Sequence, residues 1–439
     1  MSQPDADART PTRTIKVDYL SRVEGEGGLY VRAHNGQVLD VKLNIFEPPR
    51  FFEAFLRGRH FQEVPDITAR ICGICPVAYQ MSSVHALEAA LGVKPAPEIR
   101  MLRRLFYCGE WIESHALHIY LLHAPDFLGY ESAVSLAADY PDVVKRALRL
   151  KKVGNDILEM MAGRATHPVA ACVGGFYKAP RKRELLRFRN ELQWALEAAM
   201  ETVKLVAGFQ FPALEPDYEF VSVSHPNEYP MNERRIVSSK GVDIEPGDFE
   251  SVFLEEHVQR STALHSTRAD KGTSYFVGPL ARLNLNFEKL LPAAKEAARA
   301  SGVKWPCRNP YRGIIARGIE LVHAIEEALA IIENYQEPAS SRVEINVHAG
   351  EGCAATEAPR GVLYHRYRIN DRGLVEFAKI VPPTAQNYRR MEDDLRLLLP
   401  GILERPEAEI THLCEQLVRS YDPCISCSTH FLKLRLERT

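Results

Sequence analysis

Two pairs of cysteines near opposite ends of the sequence are the residues best suited to chemistry. Cys72 and Cys75 lie in the segment RICGICP, and Cys424 and Cys427 lie in the segment DPCISCSTH. A spacing of three residues places two sulfurs about one helical turn apart, close enough to bind one metal ion. By geometry alone, four thiolates around one metal indicate zinc or an iron–sulfur centre.

The distance between the two pairs along the chain argues against a small zinc module. Zinc knuckles usually fall within one short stretch of sequence, whereas positions 76 to 423 separate these pairs. A whole fold must therefore close to bring the sulfurs together. Pro76 suits the first position of a helix, whose positive end would favour thiolates in the first pair. Asp422 and Pro423 are expected to end the preceding helix and hold Cys424 in a turn.

Composition limits the possible classes of protein. The chain has 439 residues, of which 46% are hydrophobic, so it can bury a large core, and its net charge of −2 argues against a nucleic-acid partner. It has no run of about 18 apolar residues, so we expect no insertion into a membrane. Residues 1–13 are polar and are expected to form a disordered leader without a signal peptide.

The cysteine content favours a reducing compartment. Nine cysteines are an odd number, and four of them have metal-type spacing, which fits a disulfide scaffold poorly. The remaining five are expected to be buried core residues: Cys108, Cys172, Cys307, Cys353 and Cys414.

The N-terminal part of the chain is predicted to contain strands. A first strand is expected over Thr14 to Leu20, and a hairpin follows with its turn at Asn35-Gly36. The strands of this hairpin are indicated by apolar residues that alternate with polar ones, namely Leu29, Val31 and Ala33 before the turn and Val41, Leu43 and Ile45 after it.

The middle of the chain is predicted to be helical. Apolar residues at spacings of three and four predict helices over Met101 to His123 and over Arg183 to Ala207, with Gly208 ending the second. Further helices are expected at 77–91, 143–163, 286–300, 317–335 and 405–420. Extended and loop segments are expected over Tyr218 to Ser239, Thr273 to Leu285 and Arg342 to Ile380. The predicted fold class is mainly α with a small β portion (α+β).

The cysteine motifs carry a family resemblance. Arg-x-Cys-Gly-x-Cys and Asp-Pro-Cys-x-x-Cys-x-x-His resemble the two signatures of the nickel–iron hydrogenase large subunit, and the resemblance runs from about Tyr19 to His430. Two departures leave the cysteines intact: the segment Arg50-Phe51-Phe52-Glu53 keeps the glutamate of the family but lacks its glycine, and Ala69 replaces a polar residue or methionine. The resemblance implies the fold of that subunit, a helical bundle core with an N-terminal β-hairpin.

The resemblance also implies a domain organisation. Residues 14–430 are expected to form a single large catalytic domain, followed by a C-terminal extension at 431–439. Within the domain we expect a β-rich part at 14–60, a helical core at 77–210, a mixed α/β part at 211–380, and a helical part with the second metal motif at 381–430.

The resemblance implies two metal sites. All four cysteines would bind nickel, and Cys75 and Cys427 would also bind iron, which carbon monoxide and cyanide would complete. A magnesium or similar divalent ion would be bound by Glu53, Ile380 and His430.

Roles for other residues follow from the same resemblance. Arg360, in the segment APRG, would overhang the open nickel–iron position and pair with Asp422. Glu24 matches the proton-transfer glutamate of the family, with Glu26 as its competitor. Thr384 would donate a hydrogen bond to a cyanide, and Pro359 and Pro383 would line the cofactor.

The function implied is reversible heterolytic cleavage of dihydrogen by the catalytic subunit of a cytoplasmic enzyme. The sequence has no further cysteine cluster and no glycine-rich nucleotide loop. Electrons are therefore expected to pass to an iron–sulfur small subunit, then to flavin- and NAD(P)-binding diaphorase subunits or a similar acceptor. A maturation endopeptidase would cut after His430.

Two alternatives belong to other classes of function. The first is a hydrogen-sensing regulatory hydrogenase, although such sensors typically lack the extension that follows His430 here. The second is the metal-free quinone-site subunit of respiratory complex I, which lacks the four metal cysteines that this chain has.

Overall fold

Helices form the centre of the molecule, as the spacing of apolar residues predicts. The computed structural model describes residues 13–429. Its α-helices, in chain order, are α1 (Phe52–Leu56), α2 (Val64–Thr68), α3 (Pro76–Leu91), α4 (Pro97–Leu117), α5 (Ala124–Leu128), α6 (Ala133–Asp139), α7 (Pro141–Ala162), α8 (Lys182–Leu186), α9 (Arg189–Ala207), α10 (Phe249–Val252), α11 (Pro279–Asn286), α12 (Pro292–Ala300), α13 (Gly313–Asn334), α14 (Pro383–Leu398), α15 (Glu407–Ser420) and α16 (Ile425–Ser428).

The strands form several small sheets around these helices. In chain order they are β1 (Arg13–Val17), β2 (Gly27–His34), β3 (Gln37–Ile45), β4 (Ala171–Cys172), β5 (Gly175–Phe176), β6 (Phe220–Ser224), β7 (Arg235–Ser238), β8 (Asp243–Ile244), β9 (Phe253–His257), β10 (Leu264–Arg268), β11 (Phe276–Val277), β12 (Gly350–Ala358), β13 (Gly361–Ile369) and β14 (Val375–Val381). The two three-stranded sheets, β1-β2-β3 and β12-β13-β14, are antiparallel. The predicted α+β class is confirmed.

The helical core is built around α4. This helix packs against α7 and α13, and α13 also packs against α9. The helices α4 and α7 approach closely at two glycines, since a Cβ atom on Gly154 would lie 2.5 Å from the carbonyl oxygen of Gly109. The helix α3 lies on β12 and β13, so the first cysteine pair is placed between the helical core and a sheet.

The N-terminal hairpin is confirmed in detail. Leu29 pairs with Leu43 and Val31 pairs with Val41, and the six apolar residues predicted to alternate are all buried. Asn35 and Gly36 both have positive φ angles, 50° and 71°, as a two-residue hairpin turn requires. The first strand was predicted over Thr14 to Leu20 but spans Arg13–Val17, so it ends earlier than predicted, and Arg13 belongs to β1, where it pairs with Ala33, and not to the leader. Residues 1–12 lie outside the described residues.

Two segments that were predicted to be single continuous helices are interrupted. The segment predicted as one helix over 183–207 is two, α8 and α9, with the break at Arg187 and Phe188. The segment predicted over 286–300 is α12 preceded by the end of α11, because Pro292 lacks the N–H that a continuing helix would need and starts a new one.

The prediction of an extended segment over Thr273 to Leu285 is wrong in its second half. The short strand β11 ends at Val277, and α11 begins at Pro279 after Gly278, whose φ of 126° is a conformation that favours glycine. The prediction for Arg342 to Ile380 is confirmed by β12, β13 and β14. Across residues 13–429, we find no helix both long and apolar enough to cross a membrane.

Candidate metal centre

The fold brings the two cysteine pairs together. Cys75 is the residue immediately before α3, and Cys424 immediately precedes α16, which contains Cys427. The Sγ atom of Cys424 lies 3.6 Å from that of Cys72 and 2.7 Å from that of Cys427. The Sγ atoms of Cys72, Cys75 and Cys427 all lie within 4.8 Å of one another. All four residues are buried, and none forms a disulfide, so four sulfur donors face one small volume.

Cys72 is the cysteine whose surroundings most favour a thiolate. Its Sγ accepts the backbone N–H groups of Ile74 at 3.3 Å and Cys75 at 3.2 Å. Burial alone would raise the pKa of this thiol, but hydrogen bonds with the other three cysteines and the positive charge of Arg360 outweigh burial and hold its pKa well below the usual value. A low thiol pKa is what a soft-metal ligand requires.

Glu24 lies directly against the second pair. Its Oε2 atom is 3.1 Å from Cys424 Sγ and accepts the N–H of Ser426 at 3.1 Å. Its backbone forms an isolated parallel bridge with Cys424, in which the Glu24 carbonyl oxygen accepts the N–H of Ile425 at 2.9 Å. The competitor Glu26 is exposed, and its N–H donates to the carboxylate of Glu47. The geometry therefore places Glu24, and not Glu26, beside the thiol.

The glycine after Glu24 permits this contact. Gly25 has a φ of 87°, and a Cβ atom at this position would lie 2.7 Å from the Cβ of Ile425 and 2.9 Å from the backbone nitrogen of Ser426. A side chain here would therefore push the N-terminal segment away from the second cysteine pair.

Arg360 sits at the tip of a tight hairpin next to the cysteines. Ala358 of β12 pairs with Gly361 of β13, so Pro359 and Arg360 form a two-residue turn. The Nε of Arg360 donates to the carbonyl oxygen of Asp422 at 2.8 Å, and Nη2 donates to Asp422 Oδ1 at 3.2 Å. Asp422 itself has a φ of 55°, which aspartate tolerates better than most residues.

The guanidinium of Arg360 stays protonated although the side chain is buried. Burial lowers its pKa, but the charges of Asp422 and of the nearby Cys424, Cys75 and Cys72 side chains outweigh burial and hold the pKa well above the usual value. Among the residues that the structure describes, its Nη1 atom has no hydrogen-bond partner. An unused, buried and charged donor beside the sulfur cluster fits a site built to receive a further group.

The remaining predicted cofactor residues lie around the same volume. Thr384, in the first turn of α14, accepts the N–H of Cys424 at 3.0 Å, which leaves its hydroxyl proton for a second partner. Pro383 is the first residue of α14 and is buried. The carbonyl oxygen of Pro359 accepts a hydrogen bond from Arg282 at 2.8 Å.

The predicted divalent-ion residues are partly described. Glu53 in α1 accepts the N–H of Ile380 at 2.8 Å, and burial raises the pKa of this carboxyl to about 7. His430 lies outside the described residues. The carbonyl oxygen of Thr429, the residue before His430, accepts the N–H of Arg50 at 2.8 Å. The end of the described chain therefore contacts the segment that leads into Glu53. Glu53 and Ile380 are therefore brought together, and the carboxylate of Glu53 is a type of ligand that suits a hard cation.

Sequence reasoning missed a residue that ties the two motifs together. In the sequence, Arg50 stands out only as the first residue of the segment Arg50-Phe51-Phe52-Glu53. Its Nη2 atom donates to the carbonyl oxygen of Ile71 at 2.7 Å and also to that of Ser426. One guanidinium thus joins the segments of both cysteine pairs. The spacing of residues gives no signal for such a contact.

Four of the five other cysteines are buried, as predicted, and all are free. Cys353 departs from the prediction because it is only half-buried in β12, where the hydroxyl of Tyr364 donates to its sulfur at 3.4 Å.

Comparison with known proteins identifies the family. The family described as "Nickel-dependent hydrogenase" matches residues 50–144 and 270–430. The chain is 35% identical to sulfhydrogenase 1 subunit alpha of Pyrococcus furiosus, over 96% of this chain and 98% of that one. It is 28% identical to the NAD-reducing hydrogenase HoxS subunit beta of Cupriavidus necator, over 96% of this chain and 95% of that one.

A solved structure supports the same assignment. The structure of an NAD⁺-reducing [NiFe]-hydrogenase in the H2-reduced state is similar with a TM-score of 0.85 and 26% identity, over 96% of this chain and 100% of that one. The chain therefore belongs to the nickel-dependent hydrogenase family, as a large subunit. It is the catalytic subunit of a nickel–iron hydrogenase, and the sequence predictions of family and enzyme class are confirmed.

Proposed function

We propose that this chain cleaves dihydrogen heterolytically and reversibly at a nickel–iron centre held by Cys72, Cys75, Cys424 and Cys427. In this proposal Cys75 and Cys427 would bind both metals, and carbon monoxide and cyanide would complete the iron. The observation that carries the proposal is the buried cluster of four thiols with the carboxylate of Glu24 3.1 Å from one of them. When bound, the centre supplies the site where dihydrogen is polarised and gives up two electrons.

Glu24 is proposed to move the proton. A carboxylate within hydrogen-bond distance of a thiol can take the proton that Cys424 Sγ holds after cleavage and return it in the reverse reaction. Its second contact, with the N–H of Ser426, keeps the Oε2 atom in place while the proton moves.

Arg360 and Asp422 are proposed to shape the open side of the centre. Arg360 brings a fixed positive charge whose Nη1 is available to the site, and Asp422 holds the guanidinium through two hydrogen bonds. A preorganised charge of this kind stabilises separation of charge without rearrangement of solvent. Thr384 is proposed to donate to a cyanide, with Pro359 and Pro383 as neighbouring walls.

Two further features are proposed for the end of the chain. Glu53, Ile380 and His430 would bind magnesium or a similar ion, which would offset the buried carboxyl of Glu53. A maturation endopeptidase would cut after His430 and release residues 431–439.

The electrons are proposed to leave through partner subunits. An iron–sulfur small subunit would receive them and pass them to flavin- and NAD(P)-binding diaphorase subunits in the cytoplasm. The relatives named above support this, since one is a subunit of a sulfhydrogenase and another of an NAD-reducing hydrogenase.

The test compares two cysteine variants in the purified multisubunit enzyme. Wild type should contain about one nickel and one iron per chain beyond the iron–sulfur content, show carbon monoxide and cyanide stretching bands in the infrared, and reduce NAD⁺ or NADP⁺ with dihydrogen. Cys427→Ser should lose the bands and the activity, whereas Cys414→Ser, a buried cysteine away from the cluster, should keep both. Bands and full activity in Cys427→Ser would disprove the ligand assignment. Bands in wild type without turnover would favour a hydrogen sensor.

A further inference from the structure

A buried carboxyl on α4 caps the helix that carries the first cysteine pair. Cys75 is the N-cap residue of α3, but its side chain makes no capping hydrogen bond. Pro76 has no N–H, so the first donors that need acceptors are those of Val77 and Ala78. The Oε2 atom of Glu110 accepts the N–H of Val77 at 2.6 Å, and Oε1 accepts that of Ala78 at 3.1 Å. A side chain from another helix therefore supplies the cap that α3 lacks.

The position of Glu110 is fixed by its surroundings. It is fully buried, and its neighbour Gly109 forms the close crossing of α4 with α7 at Gly154. Burial raises the pKa of Glu110 well above the usual value, and the nearby carboxyl of Glu113 adds to this, while the N–H groups of α3 act in the opposite direction. Because it is fully buried beside this close helix crossing, the carboxyl has little room to move away from the start of α3.

We propose that Glu110 is a positioning residue, which fixes Cys75 and through it the metal centre by holding the first turn of α3. The inference rests on the proposed role of the four cysteines as ligands. Because Cys75 directly precedes Pro76, loosening the first turn moves the sulfur that is proposed to bind both metals. Glu110 itself does not touch the reacting atoms.

The same device occurs elsewhere in the chain and provides a control. The helix α12 also begins with proline, Pro292, and the carboxylate of Glu326 on α13 accepts the N–H of Ala293 at 3.0 Å and that of Ala294 at 3.3 Å. No proposed metal ligand lies in α12 or in α13. Loss of this cap should loosen the start of α12 without affecting the proposed metal centre.

The experiment compares Glu110→Gln with Glu326→Gln in the complete multisubunit enzyme. Glutamine keeps the shape of the side chain, but its NH2 group cannot accept, so one backbone N–H loses its acceptor. A backbone donor that loses its acceptor at a buried helix start costs enough that amide hydrogen exchange there should rise about ten- to hundredfold in each variant. In Glu110→Gln the carbon monoxide and cyanide bands should also shift and the nickel content fall at least about twofold. In Glu326→Gln the bands and the nickel content should match wild type.

Each outcome decides the matter. Wild-type bands and nickel in Glu110→Gln, or equal changes in both variants, would overturn the inference, since the second result would reflect general destabilisation. If Glu110→Gln does not accumulate, Glu110→Asp replaces it. Aspartate keeps two acceptor oxygens but sets them back by one methylene, so a smaller band shift is expected and unchanged bands would overturn the inference. A wild-type enzyme without nickel or bands would instead refute the ligand assignment itself.

Discussion

Replacing Glu24 with glutamine should separate proton transfer from assembly of the centre. The Oε2 atom of Glu24 is 3.1 Å from Cys424 Sγ and 3.1 Å from the nitrogen of Ser426. Glutamine can keep one of these contacts through its amide oxygen, so we expect the metals to load and stability to fall by no more than about 1–3 kcal/mol. It cannot carry the proton. Because a positioned acid or base contributes about 10²–10⁴-fold to a rate, oxidation of dihydrogen should fall by that factor.

The assay is exchange between deuterium gas and solvent protons, measured beside nickel content and the infrared bands. Glu26→Gln is the matched control, since it makes the same change two residues away at an exposed position, and it should exchange at the wild-type rate. Wild-type exchange in Glu24→Gln would show that the proton leaves by another group. A loss of bands in Glu24→Gln would show that Glu24 is needed for assembly of the centre, and would refute a role limited to proton transfer.

Three further predictions concern the open side of the centre, the core and the C-terminus. Arg360→Lys keeps a charge but loses the planar fork that grips Asp422, so hydrogen oxidation should fall about 10²–10³-fold; a wild-type rate would remove Arg360 from the active position. Arg282→Met leaves the buried carboxylates of Glu320 and Glu357 without their arginine partner and should destabilise the subunit by about 3–5 kcal/mol in thermal unfolding. Arg149→Met, in an exposed ion pair, should unfold like wild type, and equal unfolding midpoints for the two variants would contradict this prediction. The intact mass of the active enzyme should lack residues 431–439, and an active, nickel-loaded chain that retains them would refute cleavage after His430.

Much of the fold could be predicted from local sequence patterns, because helices and hairpin turns depend mainly on residues that are close together in the sequence. The apolar spacing that predicted helices at 143–163 and 317–335 corresponds to α7 and α13, within a few residues at each end. The Asn35-Gly36 turn is predicted correctly because both residues adopt positive φ angles, and a bulge between Arg32 and Ala33 shifts the strand register beyond the turn. The extended prediction over Thr273 to Leu285 was wrong in its second half because Pro279 starts the helix α11.

The candidate site was predicted through the family motifs and not through composition. The roles of Arg360 and Thr384 were taken from short segments that resemble the family, and the structure places both beside the second cysteine pair. The contacts of Glu110 with the start of α3 and of Arg50 with Ser426 could not be predicted this way. Each depends on a packing angle between distant elements, which no spacing along the chain encodes.

The contacts between the two ends of the chain have a consequence for folding. Glu24 and Cys424 are 400 positions apart, and Arg50 and Ser426 are 376 apart, yet both contacts lie at the candidate metal centre. Contacts that close such long loops are expected to form after the local packing of α4, α7 and α13. Only a chain folded from end to end would therefore present all four thiols to the proposed metal centre. A metal that binds only that state stabilises it by mass action, so retention of nickel would report that the whole subunit has completed its fold.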